Sequence, residues 1–134
     1  MASALIAGLC PAKYQPTEVW VSDPYEPAVA RLKAAGYNAT AQNKLVCGNC
    51  DVIFLCTKPG SVASVLTDLG AALANKILVS ICAGVTLDAL EASAHKTTRV
   101  IRVMPNTPCL VGQCASAYSL GSCAKVEVRD DLTI

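Results

Sequence analysis

The amino-acid sequence predicts an α/β fold built on a doubly wound parallel sheet. Three aliphatic runs begin near residues 52, 76 and 99, a spacing of about 23–24 residues that is typical of repeated strand–helix units. The first two runs show no alternation of polar and apolar side chains, so both faces of those strands are expected to be covered. Helical patterns occupy the stretches between the runs, as a parallel sheet requires.

Composition is that of an ordinary globular domain. The chain has 134 residues, of which 53% are hydrophobic and 16% charged, and its formal net charge is +1. That length allows one domain, which we assign to residues 1–134, and the apolar fraction excludes intrinsic disorder. The near-neutral charge gives no electrostatic reason to expect binding to nucleic acid or an anionic membrane. We expect neither a membrane helix, which needs roughly 20 apolar residues, nor a signal peptide, which needs a basic segment.

Eight cysteines are many for a chain of this size. Disulfide frameworks are typical of small secreted domains with too little core, whereas this chain has ample aliphatic residues. We therefore expect reduced thiols and a cytoplasmic location. The pair in Cys47-Gly48-Asn49-Cys50 could hold zinc or act in redox chemistry, but zinc needs two further ligands and a thioredoxin-type pair opens a helix. We expect these residues to pack at a helix end, and we predict no metal site.

The first half of the chain is predicted to contain two helices and two strands. Apolar residues of the first helix recur with the spacing of one buried face: Ala2, Leu5, Ile6 and Leu9. A strand over residues 18–22 leads through a turn to a second helix over 27–35, which Gly36 is placed to cap. A short strand over 38–41 follows.

The second half repeats the pattern more strongly. Strands are predicted over residues 51–56, 77–81, 100–104 and 115–119. The helix after the first of these strands carries apolar residues on one face: Val62, Val65, Leu66 and Leu69. Thr86 is placed to cap a shorter helix that runs to Ser93.

Ligands of doubly wound sheets bind beyond the carboxyl ends of the strands. Candidate ligand-binding loops are therefore the segments at residues 22–23, 56–59, 82–84 and 104–108. Asp23 could bind ribose hydroxyls or simply form an Asp-Pro turn. Lys58 could face a cofactor or lie in an exposed turn, and the small residues at 82–84 could admit a flat ligand or only form a turn. The usual glycine-rich phosphate loop is absent from the sequence.

The segment from Val100 to Pro108 resembles the corresponding strand and loop of pyrroline-5-carboxylate reductases. Other stretches resemble motifs of that family in the same order and at similar spacing. These stretches are Met1 to Ile6, Val21-Ser22-Asp23-Pro24, Leu55-Cys56-Thr57-Lys58-Pro59 and Ser80-Ile81-Cys82-Ala83-Gly84-Val85-Thr86. The resemblance extends from Met1 to about Gly121, and the ordered set of motifs makes it specific.

The resemblance implies a Rossmann domain that binds NADP or NAD, and a reductase that makes L-proline from the small molecule 1-pyrroline-5-carboxylate by hydride transfer. Positions that it implies for cofactor binding are Met1, Ala2, Ser22, Asp23, Asn43, Cys56, Thr57, Lys58, Pro59, Cys82, Ala83 and Gly84. It places Asn106 and Thr107 near the nicotinamide. It assigns no catalytic residue within this chain, because the family carries its main substrate-binding groups on a C-terminal helical domain.

Two departures from the family pattern bear on function. The family's first strand with its phosphate-loop glycines, and its helical dimerisation domain, have no counterpart in residues 1–134. We therefore expect a fragment, with an incomplete Rossmann-like sheet, of an enzyme family that forms homo-oligomers. The alternative function is that of a non-catalytic remnant which binds nucleotide or pairs with full-length subunits. Another Rossmann dehydrogenase with a similar N-terminal domain is a third possibility.

Overall fold

A computed structural model describes residues 2–10, 13–106, 108, 113 and 115–124. Its helices are α1 (Ala2–Leu9), α2 (Glu26–Ala34), α3 (Asn43–Asn49), α4 (Val62–Leu69) and α5 (Leu87–Ser93). Its strands are β1 (Trp20–Ser22), β2 (Asn38–Thr40), β3 (Val52–Leu55), β4 (Ile77–Ser80), β5 (Arg99–Met104) and β6 (Ala117–Leu120). Short 3-10 helices span Pro16–Glu18, Pro59–Ser61 and Gly70–Leu73. Within the described ranges, no helix has the length and apolar character needed to cross a membrane.

The described strands form two sheets rather than one. β1 and β2 pair in parallel, with Trp20 opposite Asn38 and Ser22 opposite Thr40. The second sheet has the order β3-β4-β5-β6, in which the first three strands are parallel and β6 runs antiparallel to β5. Among the described strands, β1 and β3 each have a partner on one side only. The α/β class is confirmed, and so is the expectation of an incomplete sheet, because β1 and β3 share no neighbouring strand among those described.

The core is centred on β4, and all four residues of this strand are buried. One cluster packs α4 and α5 against the sheet, and four of its leucines have no exposed surface: Leu66, Leu73, Leu78 and Leu90. Burying each such side chain contributes about 1.5–3 kcal/mol. A smaller cluster on the opposite face of the sheet is built on Ile77, Val79 and Ile101. The prediction that this strand is covered on both faces is confirmed.

β3 is less covered than its sequence predicts. Ile53 and Leu55 are buried in the larger cluster, whereas Val52 is 37% exposed and Phe54 is half-buried. The expectation of two covered faces is therefore wrong for this strand. The reason is its position, because β3 lies at the edge of its sheet while the smaller cluster is centred on β4 and β5.

α1 spans the predicted residues, but its apolar face is not buried. Leu5, Ile6 and Leu9 are half-buried, and none of the residues of α1 is fully buried. The periodicity predicted the helix correctly, whereas the expected buried face is wrong. α1 packs only loosely against the other described elements, so its apolar face is only partly covered.

Local sequence sets the ends of two helices as predicted. Gly36 follows α2 with φ of +90°, a left-handed conformation that glycine adopts without steric cost. The Thr86 Oγ accepts a hydrogen bond of 3.2 Å from the backbone N–H of Ala89, which caps α5. The last strand begins at Ala117, two residues later than predicted.

Candidate functional site

Three of the predicted loops leave one edge of the four-stranded sheet. β3, β4 and β5 are adjacent and parallel, so the segments that follow them emerge side by side. These segments contain the candidate positions at residues 56–59, 82–84 and 106. The topology thus brings together positions that are separated by about 25 residues in sequence, as expected of a doubly wound sheet.

Ser22, Asp23 and Asn43 form a second group, at the carboxyl end of β1. The Ser22 hydroxyl donates a hydrogen bond of 2.8 Å to Oδ1 of Asn43, the first residue of α3. Asp23 Oδ1 accepts a hydrogen bond of 2.8 Å from the backbone N–H of Tyr25, which forms a turn into α2. The turn role of Asp23 is therefore present in the structure. The hydrogen bond from Tyr25 uses Oδ1 of Asp23, and Oδ2 takes no part in the turn.

The loop after β3 passes from buried to exposed. Cys56 and Thr57 are half-buried, whereas Lys58 and Pro59 are exposed. Burial raises the pKa of the Cys56 thiol to about 11, and repulsion from Cys82 adds to that rise. Cys56 is therefore a neutral thiol at physiological pH, while Lys58 brings a cation to this edge of the sheet.

The loop after β4 buries a cysteine and exposes two small residues. Cys82 is 4% exposed, whereas Ala83 and Gly84 are both exposed. Gly84 has φ of +74°, a conformation that side chains rarely adopt, and a Cβ built there would meet no atom within 4 Å. A flat ring could therefore approach the backbone of these two residues closely, whereas the Cys82 side chain offers almost no surface.

The loop after β5 is described in part. Asn106 is exposed, and its Oδ1 accepts a hydrogen bond of 3.1 Å from the backbone N–H of Ala115. This bond ties the loop to the segment that returns as β6. Ala2 is the half-buried first residue of α1. The predicted positions Met1 and Thr107 lie outside the described residues.

Two polar residues support the loop after β4 and were not predicted. Ser80 is fully buried, and its Oγ accepts a hydrogen bond of 3.3 Å from the backbone N–H of Cys82. Arg102 in β5 donates through Nε to the carbonyl oxygen of Val85 at 2.8 Å. The sequence did contain a signal for both residues, because each is a polar residue within an otherwise aliphatic run.

The Cys47 and Cys50 pair lies at the end of α3, as predicted. Cys47 is 2% exposed within the larger core cluster, and Cys50 follows the helix. Burial raises the pKa of both thiols. Across the described part of the chain, no three acidic, histidine or cysteine side chains come together as metal ligands. The cysteines that the structure describes as free are Cys10, Cys47, Cys50, Cys56, Cys82 and Cys123.

The sequence is similar to those of known oxidoreductases. A sequence model of the family described as NADP oxidoreductase, coenzyme F420-dependent, matches residues 1–84. Pyrroline-5-carboxylate reductase 3 of Xenopus laevis is 37% identical over 134 residues, which cover 98% of this chain and 48% of the relative. Pyrroline-5-carboxylate reductase of Escherichia coli is 38% identical over 114 residues, which cover 83% of this chain and 42% of the relative. The chain thus spans about half the length of the curated relatives that it matches.

Solved structures agree with the sequence comparisons. A pyrroline-5-carboxylate reductase from Coxiella burnetii superimposes with a TM-score of 0.89 at 26% identity, covering 96% of this chain and 49% of the other. Pyrroline carboxylate reductase of Plasmodium falciparum, solved with NADP bound, gives a TM-score of 0.84 at 28% identity, covering 97% and 48%. The resemblance seen in the sequence motifs is confirmed, and so is the Rossmann-like fold.

Proposed function

Because the chain belongs to the family described as NADP oxidoreductase, coenzyme F420-dependent, we propose that residues 1–134 form one nucleotide-binding domain. The observation that carries this proposal is the grouping of three loops at one edge of a parallel sheet. In folds of this type, that edge is where ligands bind. The match to a relative solved with NADP bound supports the same assignment.

The residues at this edge, together with Asp23 at the end of β1, fit a dinucleotide, NADP or NAD. Ala83 and Gly84 leave room for a flat ring, Lys58 offers a cation to a phosphate, and Asp23 offers a carboxylate to ribose hydroxyls. The family description names NADP, whereas the Asp23 carboxylate favours NAD, because it repels a 2′-phosphate.

We propose that the other predicted positions complete this site. Those proposed to contact the nucleotide are Met1, Ala2, Ser22, Asn43, Cys56, Thr57, Pro59 and Cys82. Asn106 and Thr107 are proposed to lie near the nicotinamide. Because the Cys82 side chain is buried, its contribution to direct contact is limited to its backbone.

The proposed reaction is the reduction of 1-pyrroline-5-carboxylate to L-proline, supported by the names of the relatives. A bound reduced nicotinamide would supply the hydride for the imine carbon, with a proton from solvent for the imine nitrogen. The residues of this chain would bind the nucleotide and orient it. Holding two reactants in the right geometry lowers the barrier of such a reaction. We further propose a homo-oligomer in the cytoplasm, a reducing compartment consistent with the free thiols.

Nucleotide binding can be tested with a matched pair of variants. Ala83→Trp fills the space beside the loop after β4, whereas Ala71→Trp adds the same bulk in the 3-10 helix that precedes β4. Fluorescence titration with NADPH should show at least about tenfold weaker binding for Ala83→Trp, a loss of about 1.4 kcal/mol, and little change for Ala71→Trp. Equal affinity of the two variants would place the nucleotide elsewhere.

Activity can be tested separately from binding. Residues 1–134 by themselves should not oxidise NADPH faster when pyrroline-5-carboxylate is added, because the resemblance places the substrate-binding groups in the unmatched half of the relatives. Fusion to the segments of the Escherichia coli relative that this chain does not match should restore turnover. A fusion that binds NADPH but remains inactive would favour the non-catalytic alternative. Substrate-dependent turnover by residues 1–134 would show that the substrate-binding groups lie within this chain, contrary to the assignment.

A further inference from the structure

The backbone ladder between β3 and β4 ends where the candidate loops begin. Its last bond runs from the Ile81 N–H to the carbonyl oxygen of Leu55, at 3.2 Å. Beyond this point the loops at 56–59 and 82–85 have to be held at a fixed separation by other groups. Their separation sets the width of the space that a ligand at this edge would enter.

The Cys82 thiol lies between these two loops. Its Sγ is 3.4 Å from the carbonyl oxygen of Leu55 and 3.3 Å from the carbonyl oxygen of Thr57, and it can donate to either. The Thr57 hydroxyl lies 3.9 Å from the same sulfur. The Cys82 side chain, in the loop after β4, therefore contacts the residues before and after Cys56 in the loop after β3.

The far side of the β4 loop is held independently. The backbone N–H of Cys82 donates to Ser80 Oγ, and Arg102 Nε donates to the Val85 carbonyl oxygen at 2.8 Å. Residues 82–85 are thus anchored to their own strand and to β5. Because this loop is fixed, the thiol contact orients the β3 loop relative to it rather than the reverse.

The chemistry of the thiol suits this contact. A sulfur reaches further from Cβ than a hydroxyl oxygen does, and hydrogen bonds to or from sulfur are longer than those of oxygen. Alanine would remove the donor, and serine would keep a donor with a shorter reach. At 4% exposed, Cys82 offers almost no side-chain surface to a ligand, whereas Lys58 and Ala83 are exposed.

We propose that Cys82 is a positioning residue, whose thiol fixes the Thr57–Lys58 segment against the β4 loop and so sets the affinity for the nucleotide. This inference rests on the proposed nucleotide-binding function. It replaces direct contact by the Cys82 side chain with an indirect role through the carbonyl groups of its neighbours.

The test compares Cys82→Ala and Cys82→Ser with Cys47→Ala in the chain of residues 1–134. Cys47 is a buried cysteine of the same core cluster, so its variant reports the loss of a buried thiol alone. Amide hydrogen exchange of Thr57, Lys58, Gly60 and Ser61 should rise by at least about threefold in Cys82→Ala and remain unchanged in Cys47→Ala. NADPH affinity should fall about threefold to tenfold in Cys82→Ala, with Cys82→Ser between it and the natural chain.

The outcomes separate this role from simple core packing. Equal exchange at these four amides in the two alanine variants would overturn the proposal, and so would a raised exchange without a loss of NADPH affinity beyond that of Cys47→Ala. If the natural chain binds no NADPH, the proposed function itself is wrong and the positioning role falls with it. If Cys82→Ala does not fold, Cys82→Ser carries both measurements against the same Cys47→Ala control.

Discussion

The hydroxyl of Ser22 donates a hydrogen bond of 2.8 Å to Oδ1 of Asn43, although 21 positions separate the two residues in the chain. This bond joins the end of β1 to the start of α3, and both residues are half-buried. Asp23, the next residue along, is held by its own turn with Tyr25. The carboxylate proposed to bind the ribose hydroxyls thus lies in a segment that local hydrogen bonds hold in place.

Replacing Asp23 by serine should shift nucleotide preference toward NADPH. Serine keeps an oxygen that can accept from the Tyr25 N–H, so the turn is retained while the negative charge is removed. We expect the affinity for NADPH relative to NADH to rise about threefold to tenfold, since repulsion of the 2′-phosphate is lost.

The control for this shift is Glu26→Gln, which removes the same charge from the first turn of α2. Calorimetric titration of both nucleotides against both variants gives the ratios. A ratio that rises equally in Glu26→Gln would show a general charge effect, and an unchanged ratio in Asp23→Ser would show that Asp23 does not contact the ribose.

Cys56 should make the folded state less stable above pH 9. Burial raises its pKa from 9.0 to about 11, so the folded state keeps the thiol proton at pH values where the unfolded chain has released it. The stabilisation is complete below pH 9 and is lost as the pH rises toward 11. Between pH 8 and pH 10.5 the loss from this one group should be about 1–2 kcal/mol.

Urea denaturation of the natural chain and of Cys56→Ala at the two pH values checks this expectation. The difference in unfolding free energy between them should shrink at high pH by that amount. Because Cys47 and Cys50 are present in both proteins, their titration cancels in the comparison. A difference that is independent of pH would mean that Cys56 titrates normally.

Gly121 should not tolerate alanine. A Cβ at this position would lie 2.5 Å from Oε1 of Glu91 and 2.9 Å from the carbonyl oxygen of Val100. The Glu91 carboxylate is not free to move, because it accepts hydrogen bonds of 2.6 and 2.8 Å from the backbone N–H and hydroxyl of Ser122. We expect Gly121→Ala to lower the unfolding free energy by about 1–3 kcal/mol.

Gly48→Ala is the matched control. Gly48 lies in α3, and a Cβ there would meet nothing within 4 Å, so alanine should stabilise the chain by about 0.5–1 kcal/mol. Urea denaturation measures both variants. Similar stability of Gly121→Ala and Gly48→Ala would mean that the contact of Gly121 with Glu91 relaxes at no cost.

In the described part of the chain, β1 and β3 each have one side without a partner strand, which should make residues 1–134 prone to self-association. Exposed strand edges can pair with other chains, and unsatisfied backbone groups lower stability. We expect a melting temperature below about 60 °C and association that increases with protein concentration. Calorimetry and size-exclusion chromatography would test both, and a monomer that melts cooperatively above that temperature would contradict the prediction.

A lysine on the edge strand distinguishes strand pairing from general stickiness. Val52→Lys places a charge on β3, where the natural side chain is 37% exposed. Leu45→Lys removes a comparably exposed hydrophobe from α3, at 44%. Association should fall in Val52→Lys and persist in Leu45→Lys. Equal reduction in the two would point to surface hydrophobicity rather than to the strand edge.

Sequence patterns predicted the elements of the fold well, because they are set by short-range spacing and by residues with strong local preferences. The aliphatic runs at β3, β4 and β5 and the turn residues Gly36 and Thr86 are signals of that kind. The candidate loops followed from a general property of parallel sheets, that their strands end at one edge. Contact of these loops with a nucleotide stays a prediction.

What the sequence by itself determined is the order and type of these elements, and the similarity of its motifs to those of the pyrroline-5-carboxylate reductases. The tertiary structure decided which faces are covered. α1 and β3 carry patterns of buried elements, yet α1 and one face of β3 stay partly open, because burial depends on which neighbours pack against them. It also decided that the Cys82 thiol turns inward to the carbonyl groups of the β3 loop, since that contact links residues 25 and 27 positions apart and no local pattern encodes it.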